Sequence, residues 1–134
     1  SIASQEGLGR PLFAKVLNLM ACVLQDKGAD SRARELYERA LGIQVDLLGA
    51  QHPDVAKTYN NMALLADKQG EFSEALELHG KALAITVRAV GGSHPDAART
   101  LGNMAVVFRK QGDFDRAAEL HDEALAIQLA ALGQ

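Results

Sequence analysis

The sequence predicts an all-α fold, a solenoid of three helical hairpins with six helices, and three observations predict it. Pro11, Pro53 and Pro95 stand 42 residues apart, and the text between them aligns from unit to unit without an insertion or deletion. A fixed period in this range marks stacked supersecondary units. The 134 residues are 48% hydrophobic but only 4% aromatic, with no Trp, so the core is drawn from Ala, Leu, Val, Ile and Met, a helical palette. Glycines recur at Gly28, Gly70 and Gly112 and again at Gly49, Gly91 and Gly133, each closing a run with helical apolar spacing. The units are residues 11–52, 53–94 and 95–134, together one solenoid domain.

Residues 1–10 carry two glycines and two serines without periodicity and read as a lead-in or the remnant of a preceding repeat; Gly7 lies four residues before Pro11, as Gly49 and Gly91 lie before Pro53 and Pro95. Each unit then opens a helix at its proline, which suits the first helical position because its missing N–H is not needed there. Asp54 and Asp96 follow, where the helix dipole favours negative charge. Buried stripes are predicted at Leu17, Met20, Ala21 and Leu24, at Tyr59, Met62, Ala63 and Ala66, and at Leu101, Met104, Ala105 and Phe108, an i, i+3, i+4, i+7 pattern. Gly28, Gly70 and Gly112 end these helices, and Ser31, Ser73 and Asp115 are expected to cap the second helices. Those carry Ala33, Ala75 and Ala117, then Ala40, Ala82 and Ala124, small residues that allow close approach. A 42-residue period exceeds the common ~34 by about eight, and the apolar runs to Leu48, Val90 and Leu132 assign most of the excess to the second helices.

Composition excludes several classes of function. The net charge of −3 divides over the repeats as 0, −1 and −2, so no bulk attraction to nucleic acid or an anionic membrane surface is expected. Cys22 is the only cysteine and cannot form an internal disulfide; no apolar run approaches the length of a membrane span. A reducing, cytoplasmic setting is the expectation. The chain begins at Ser1 without Met and reads as an excised or processed form.

Catalytic signals are weak. His52 and His94 precede the prolines, while His79 and His121 share the register of Tyr37; residues 42 apart lie one repeat apart, so no cluster converges on a metal. Cys22 aligns with Leu64 and Val106 and reads as a small apolar residue rather than a nucleophile. Gly91-Gly92 is a helix stop, since no phosphate-loop pattern accompanies it. No enzyme activity and no cofactor are expected.

The order of aromatic or Leu, Met-Ala, Gly, Ala and Ala-Leu resembles the tetratricopeptide repeat, and HPDVAKTYNNMALLADKQGEFSEALELHGKAL is similar to the 42-residue variant of kinesin light chains. The first repeat departs most, with Asp30 where Phe72 and Phe114 stand, Leu12 for the acidic residue after proline and Leu19 for the second Asn. The resemblance implies a right-handed superhelix whose first helices line a concave groove. On that face the columns are Lys15, Lys57, Arg99; Asn18, Asn60, Gly102; Leu19, Asn61, Asn103; Cys22, Leu64, Val106; Gln25, Asp67, Arg109; and Asp26, Lys68, Lys110. A basic rail, amides that can bond a peptide backbone through donor and acceptor and an apolar strip suit an extended, acidic peptide. Kinesin light chains bind cargo peptides with an aromatic residue among acidic ones. The resemblance therefore implies an adaptor scaffold with Lys15, Asn18, Lys57, Asn60, Asn61, Leu64, Arg99, Asn103, Val106, Arg109 and Lys110 as the peptide groove. A second expectation is an assembly module that self-associates through uncapped ends, residues 1–28 and 115–134. A third is a regulatory segment of a larger enzyme.

Overall fold

The computed structural model describes the backbone of residues 2–133 and the side chains of residues 10–133. Six helices follow one another: α1 (Ile2–Asp26), α2 (Asp30–Leu48), α3 (Pro53–Lys68), α4 (Phe72–Val90), α5 (Pro95–Lys110) and α6 (Phe114–Leu132). They pair as the hairpins α1–α2, α3–α4 and α5–α6, and the second helix of each hairpin packs on the first helix of the next. The second helices have 19 residues each against 16 in α3 and α5, which is where the long period was expected to go.

Alanine makes the hairpins tight. Ala21, Ala33, Ala40, Ala63, Ala75, Ala82 and Ala105 are fully buried, and Ala117 and Ala124 nearly so; with only a methyl group at these positions the paired helices approach closely. Larger side chains fill the joints between repeats. Leu41 and Val45 of α2 pack with Val55, Ala56 and Tyr59 of α3, Tyr37 with Leu65, and Leu78 of α4 with Val107 of α5. Each hairpin thus buries its outer stripe only by stacking on a neighbour.

The hairpin turns share one geometry. Gly28, Gly70 and Gly112 have φ of 85°, 80° and 84°, a region that costs other residues a steric penalty. Around them the N–H groups of Ala29, Glu71 and Asp113 reach back to the carbonyls of Leu24, Ala66 and Phe108 at 2.8, 2.8 and 2.9 Å, and the glycine N–H groups bond the carbonyls of Gln25, Asp67 and Arg109 at 3.0 Å. This nested pair satisfies the last carbonyls of each first helix. It also reverses the chain fast enough that α2, α4 and α6 begin at Asp30, Phe72 and Phe114. Ser31, Ser73 and Asp115, expected as caps, therefore lie inside the first turn. The capping positions are Ala29, Glu71 and Asp113, of which Asp113 alone accepts a bond, from the Arg116 N–H at 3.2 Å.

Pro53 and Pro95 open α3 and α5 as expected, each preceded by a histidine cap: Nδ1 of His52 accepts from the Asp54 N–H at 3.0 Å, and Nδ1 of His94 from the Asp96 N–H at 3.1 Å. Pro11 differs, for it lies inside α1 rather than at its start. Arg10 stands where His52 and His94 stand, and an arginine has donors but no acceptor with which to cap a helix. With no stop signal before it, the helix runs through the proline at the expense of one internal hydrogen bond.

Two glycines of α4 and its preceding turn are expected to respond oppositely to alanine. Gly70→Ala lowers unfolding free energy by about 1 kcal/mol through its positive φ. Gly80→Ala, in the helix interior with open space where the added methyl group would sit, raises it by about 0.5–1 kcal/mol; urea unfolding of the two variants reads both signs.

Candidate functional site: a polar face along the first helices

The joints between repeats contain all the buried polar residues among those described: Gln44, Thr58, His79 and Thr100. At the first joint Asn18 Nδ2 donates to Thr58 Oγ1 at 2.9 Å, and that hydroxyl donates to Gln44 Oε1 at 2.6 Å. At the second joint Asn60 Nδ2 donates to Thr100 Oγ1 at 3.2 Å, and Asn60 Oδ1 lies 2.9 Å from His79 Nδ1. Because the amide oxygen can only accept, Nδ1 carries the proton. Its Nε2 is buried without a hydrogen-bond partner. Burial pushes the His79 pKa down to about 4, against the opposing pull of the Asp67 carboxylate. In the first repeat the equivalent Tyr37 sends its hydroxyl to Gln25 Oε1 at 3.2 Å, beside Cys22 Sγ at 3.2 Å. Asn18 Oδ1 is consequently buried without a partner.

These bonds sort the residues that sequence reasoning placed together. The amides of Asn18 and Asn60 span the joints rather than standing free for a ligand. Lys110 is likewise engaged: its Nζ bonds both carboxylate oxygens of Asp67, at 3.0 and 2.9 Å. Lys68 makes the corresponding contacts one repeat earlier, with the Gln25 carbonyl at 2.7 Å and Asp30 at 3.2 Å. The side chains of Lys15, Lys57 and Arg99 remain exposed, Arg99 lying 3.7 Å from Asp96. Asn61 and Asn103 form no hydrogen bond with other described residues. Leu19 and Leu64 are exposed apolar side chains at 67% and 42%.

Two hollows of nearly equal size run along this face. The first, about 370 Å³, is lined by Lys15, Asn18, Leu19, Gln44, Asp54, Lys57 and Asn61. The second, about 360 Å³, is lined by Lys57, Asn60, Asn61, Leu64, Arg99 and Asn103. They lie one repeat apart and share Lys57 and Asn61. Val106, Arg109 and Lys110 line neither: Val106 is partly buried, and Arg109 and Lys110 are exposed at the turn end of α5. Sequence reasoning missed Gln44, which reaches the first hollow from α2, and the threonines that engage Asn18 and Asn60. The signal was present, since Thr58 and Thr100 sit 42 residues apart inside otherwise apolar stripes. No group of three or more His, Cys, Asp or Glu side chains suited to a metal occurs among the described residues, and none of their helices is long and apolar enough to cross a membrane.

A family model described as tetratricopeptide repeat matches residues 12–86 and 68–130. Among solved structures, BtubC (BKLC) from P. vanneervenii superposes with a TM-score of 0.84 at 30% identity, over 90% of this chain and 48% of that one. A putative kinesin light chain of Podospora anserina with nearly identical repeats gives 0.77 at 26% identity, over 89% and 56%. MamA gives 0.70 at 18% identity, over 90% and 61%, a likeness of fold alone. The chain thus spans about half the length of the first two of these neighbours. None of the curated proteins matches it.

Two measurements check the joint. The folded His79 pKa of about 4 lies below the ordinary 6.5, so between these values the unfolded chain binds more protons and stability falls with falling pH. The loss reaches about 3 kcal/mol near pH 4, and His79→Leu is less stable at neutral pH but shows a shallower pH dependence in denaturant titrations. Asn60→Ala strands His79 Nδ1 and is expected to cost about 2 kcal/mol, whereas Asn61→Ala, one position on, changes stability by less than about 0.5 kcal/mol.

Proposed function

Because the chain belongs to the tetratricopeptide-repeat family, whose repeats mediate protein–protein interactions, we propose that it is a scaffold that binds an extended acidic peptide along α1, α3 and α5. In this reading it is an adaptor of the kinesin-light-chain kind. The observation that carries the reading is the pair of similar hollows one repeat apart, about 370 and 360 Å³. A ligand filling both must be elongated.

The chemistry along the hollows favours the partner's composition. Lys15, Lys57 and Arg99 supply one exposed cation per repeat, the second and third flanking the hollow that holds Leu64 and Asn103. Leu19 and Leu64 provide apolar surface for an anchoring side chain, and an aromatic ring buries more area there than an aliphatic one. Asn61 and Asn103, which form no hydrogen bond with other described residues, can meet a peptide backbone through both amide donor and carbonyl acceptor. The acidic Asp54 in the first hollow and Asp96 beside Arg99 moderate the positive field, which makes the apolar anchor necessary for affinity at ordinary salt.

The decisive measurement is fluorescence anisotropy with an acidic peptide containing one Trp, its charge-reversed twin and a scrambled control. Saturable binding of the first, weakened roughly tenfold or more by the double change Lys57→Glu, Arg99→Glu at low salt, is the expected result. An affinity that the double change leaves untouched removes the groove from consideration. Asn103→Ala is expected to weaken the same peptide without altering stability, in contrast to the joint residue Asn60.

A further inference from the structure

We propose that the first hollow selects a carboxamide, the side chain of a glutamine or asparagine in the bound peptide, and so fixes which stretch of the ligand lies on the first joint. The assignment rests on the peptide-groove reading and concerns what one part of that groove takes.

Gln44 carries the argument. Of the four buried polar residues among those described, it alone lines either hollow, although it is only 2% exposed. It comes from α2 and forms the floor of the first hollow, with Lys15 and Lys57 exposed at the rim. The two ends of its amide are in different states. Oε1 already accepts the Thr58 hydroxyl at 2.6 Å, whereas Nε2 forms no hydrogen bond with another described residue. The amide therefore presents its donor end.

A complementary acceptor stands beside it. The Thr58 hydroxyl also lies 3.3 Å from the main-chain carbonyl of Asp54, which sets Asp54 next to the Gln44 amide, and Asp54 lines the same hollow. Its side chain is 26% exposed, with the carboxylate 3.9 Å from His52 Nδ1. That nitrogen accepts the Asp54 N–H, so it has no proton to give the carboxylate.

A carboxamide meets both groups: its carbonyl accepts from Gln44 Nε2, and its NH2 donates to Asp54. A carboxylate of the same length meets only the first and brings a second negative charge to Asp54. An aliphatic side chain meets neither and leaves the donor at the floor without a partner. Lys15 and Lys57, at the wet rim, attract acidic residues along the whole face without discriminating at the floor. The second joint lacks the arrangement. There the registers of Gln44 and Asp54 hold Thr86 and Asp96, which line a separate cavity of about 50 Å³ and not the second hollow. Acidic residues of the ligand thus belong over Lys57 and Arg99, and the carboxamide lies one repeat nearer α1.

The test is a positional scan by fluorescence anisotropy, in which each position of the acidic peptide with one Trp carries Gln, Glu or Leu in turn. The expected result is one position where Gln binds about tenfold more tightly than Glu or Leu, while Glu equals or exceeds Gln everywhere else. Asp54→Asn, a partly exposed change that keeps the main-chain N–H bonded to His52, is expected to bring the Gln and Glu peptides within about twofold of each other, because an asparagine can donate to a carboxylate as well as accept from an amide. A scan with no such position overturns the proposal while the groove stands. A preference for Gln that Asp54→Asn leaves at full size overturns it equally, since the carboxamide would then be read elsewhere. If no peptide binds at all, the groove reading itself falls and the carboxamide site with it.

Discussion

One asparagine per joint holds this stack in register. Asn18 and Asn60 each cross from a first helix to a threonine buried in the next, and every buried polar residue among those described belongs to one of these two networks. Apolar surfaces alone tolerate sliding, because leucine packs acceptably against many neighbours. A buried hydroxyl does not, since displacement by one helical turn would leave it without a partner in a low-dielectric setting. Alanine-lined hairpins give the repeats their shape, and the asparagine–threonine bonds determine how one repeat sits on another.

That division of labour also shapes the exposed face. Asn60 and Asn61, adjacent in the second repeat, have different tasks: the first is held by His79 and Thr100, while the second lines both hollows. The cations divide in the same way. Lys68 and Lys110 tie successive turns together through Asp30 and Asp67, leaving Lys15, Lys57 and Arg99 as the exposed positive column. A face whose scaffold residues are already engaged is preorganised, so a ligand laid along it would order few additional side chains.

Most of the fold was legible in the sequence. The 42-residue spacing, the glycines with positive φ and the alanine columns carry it, because each reports a local steric requirement that repeats with the fold. The second-helix caps were not legible: Ser31, Ser73 and Asp115 have good capping chemistry, but the glycine turn reverses the chain sooner than side-chain preference alone implies. Pro11 misled for a related reason, since a proline starts a helix only where a cap precedes it, as His52 and His94 do. In the groove, the positions of Lys57, Asn61, Leu64 and Arg99 along one face followed from periodicity. The capture of Asn18, Asn60 and Lys110 did not, because a hydrogen bond between repeats depends on which of two adjacent residues points across the joint.

The overlap of the two hollows carries a consequence for any chain laid along them. Lys57 and Asn61 line both, so whatever occupies one hollow changes the side chains that greet the other. Specificity along such a face cannot be a string of separate letters, each read by its own repeat. Successive ligand residues would be read as overlapping syllables, and a change at one would be felt at its neighbour.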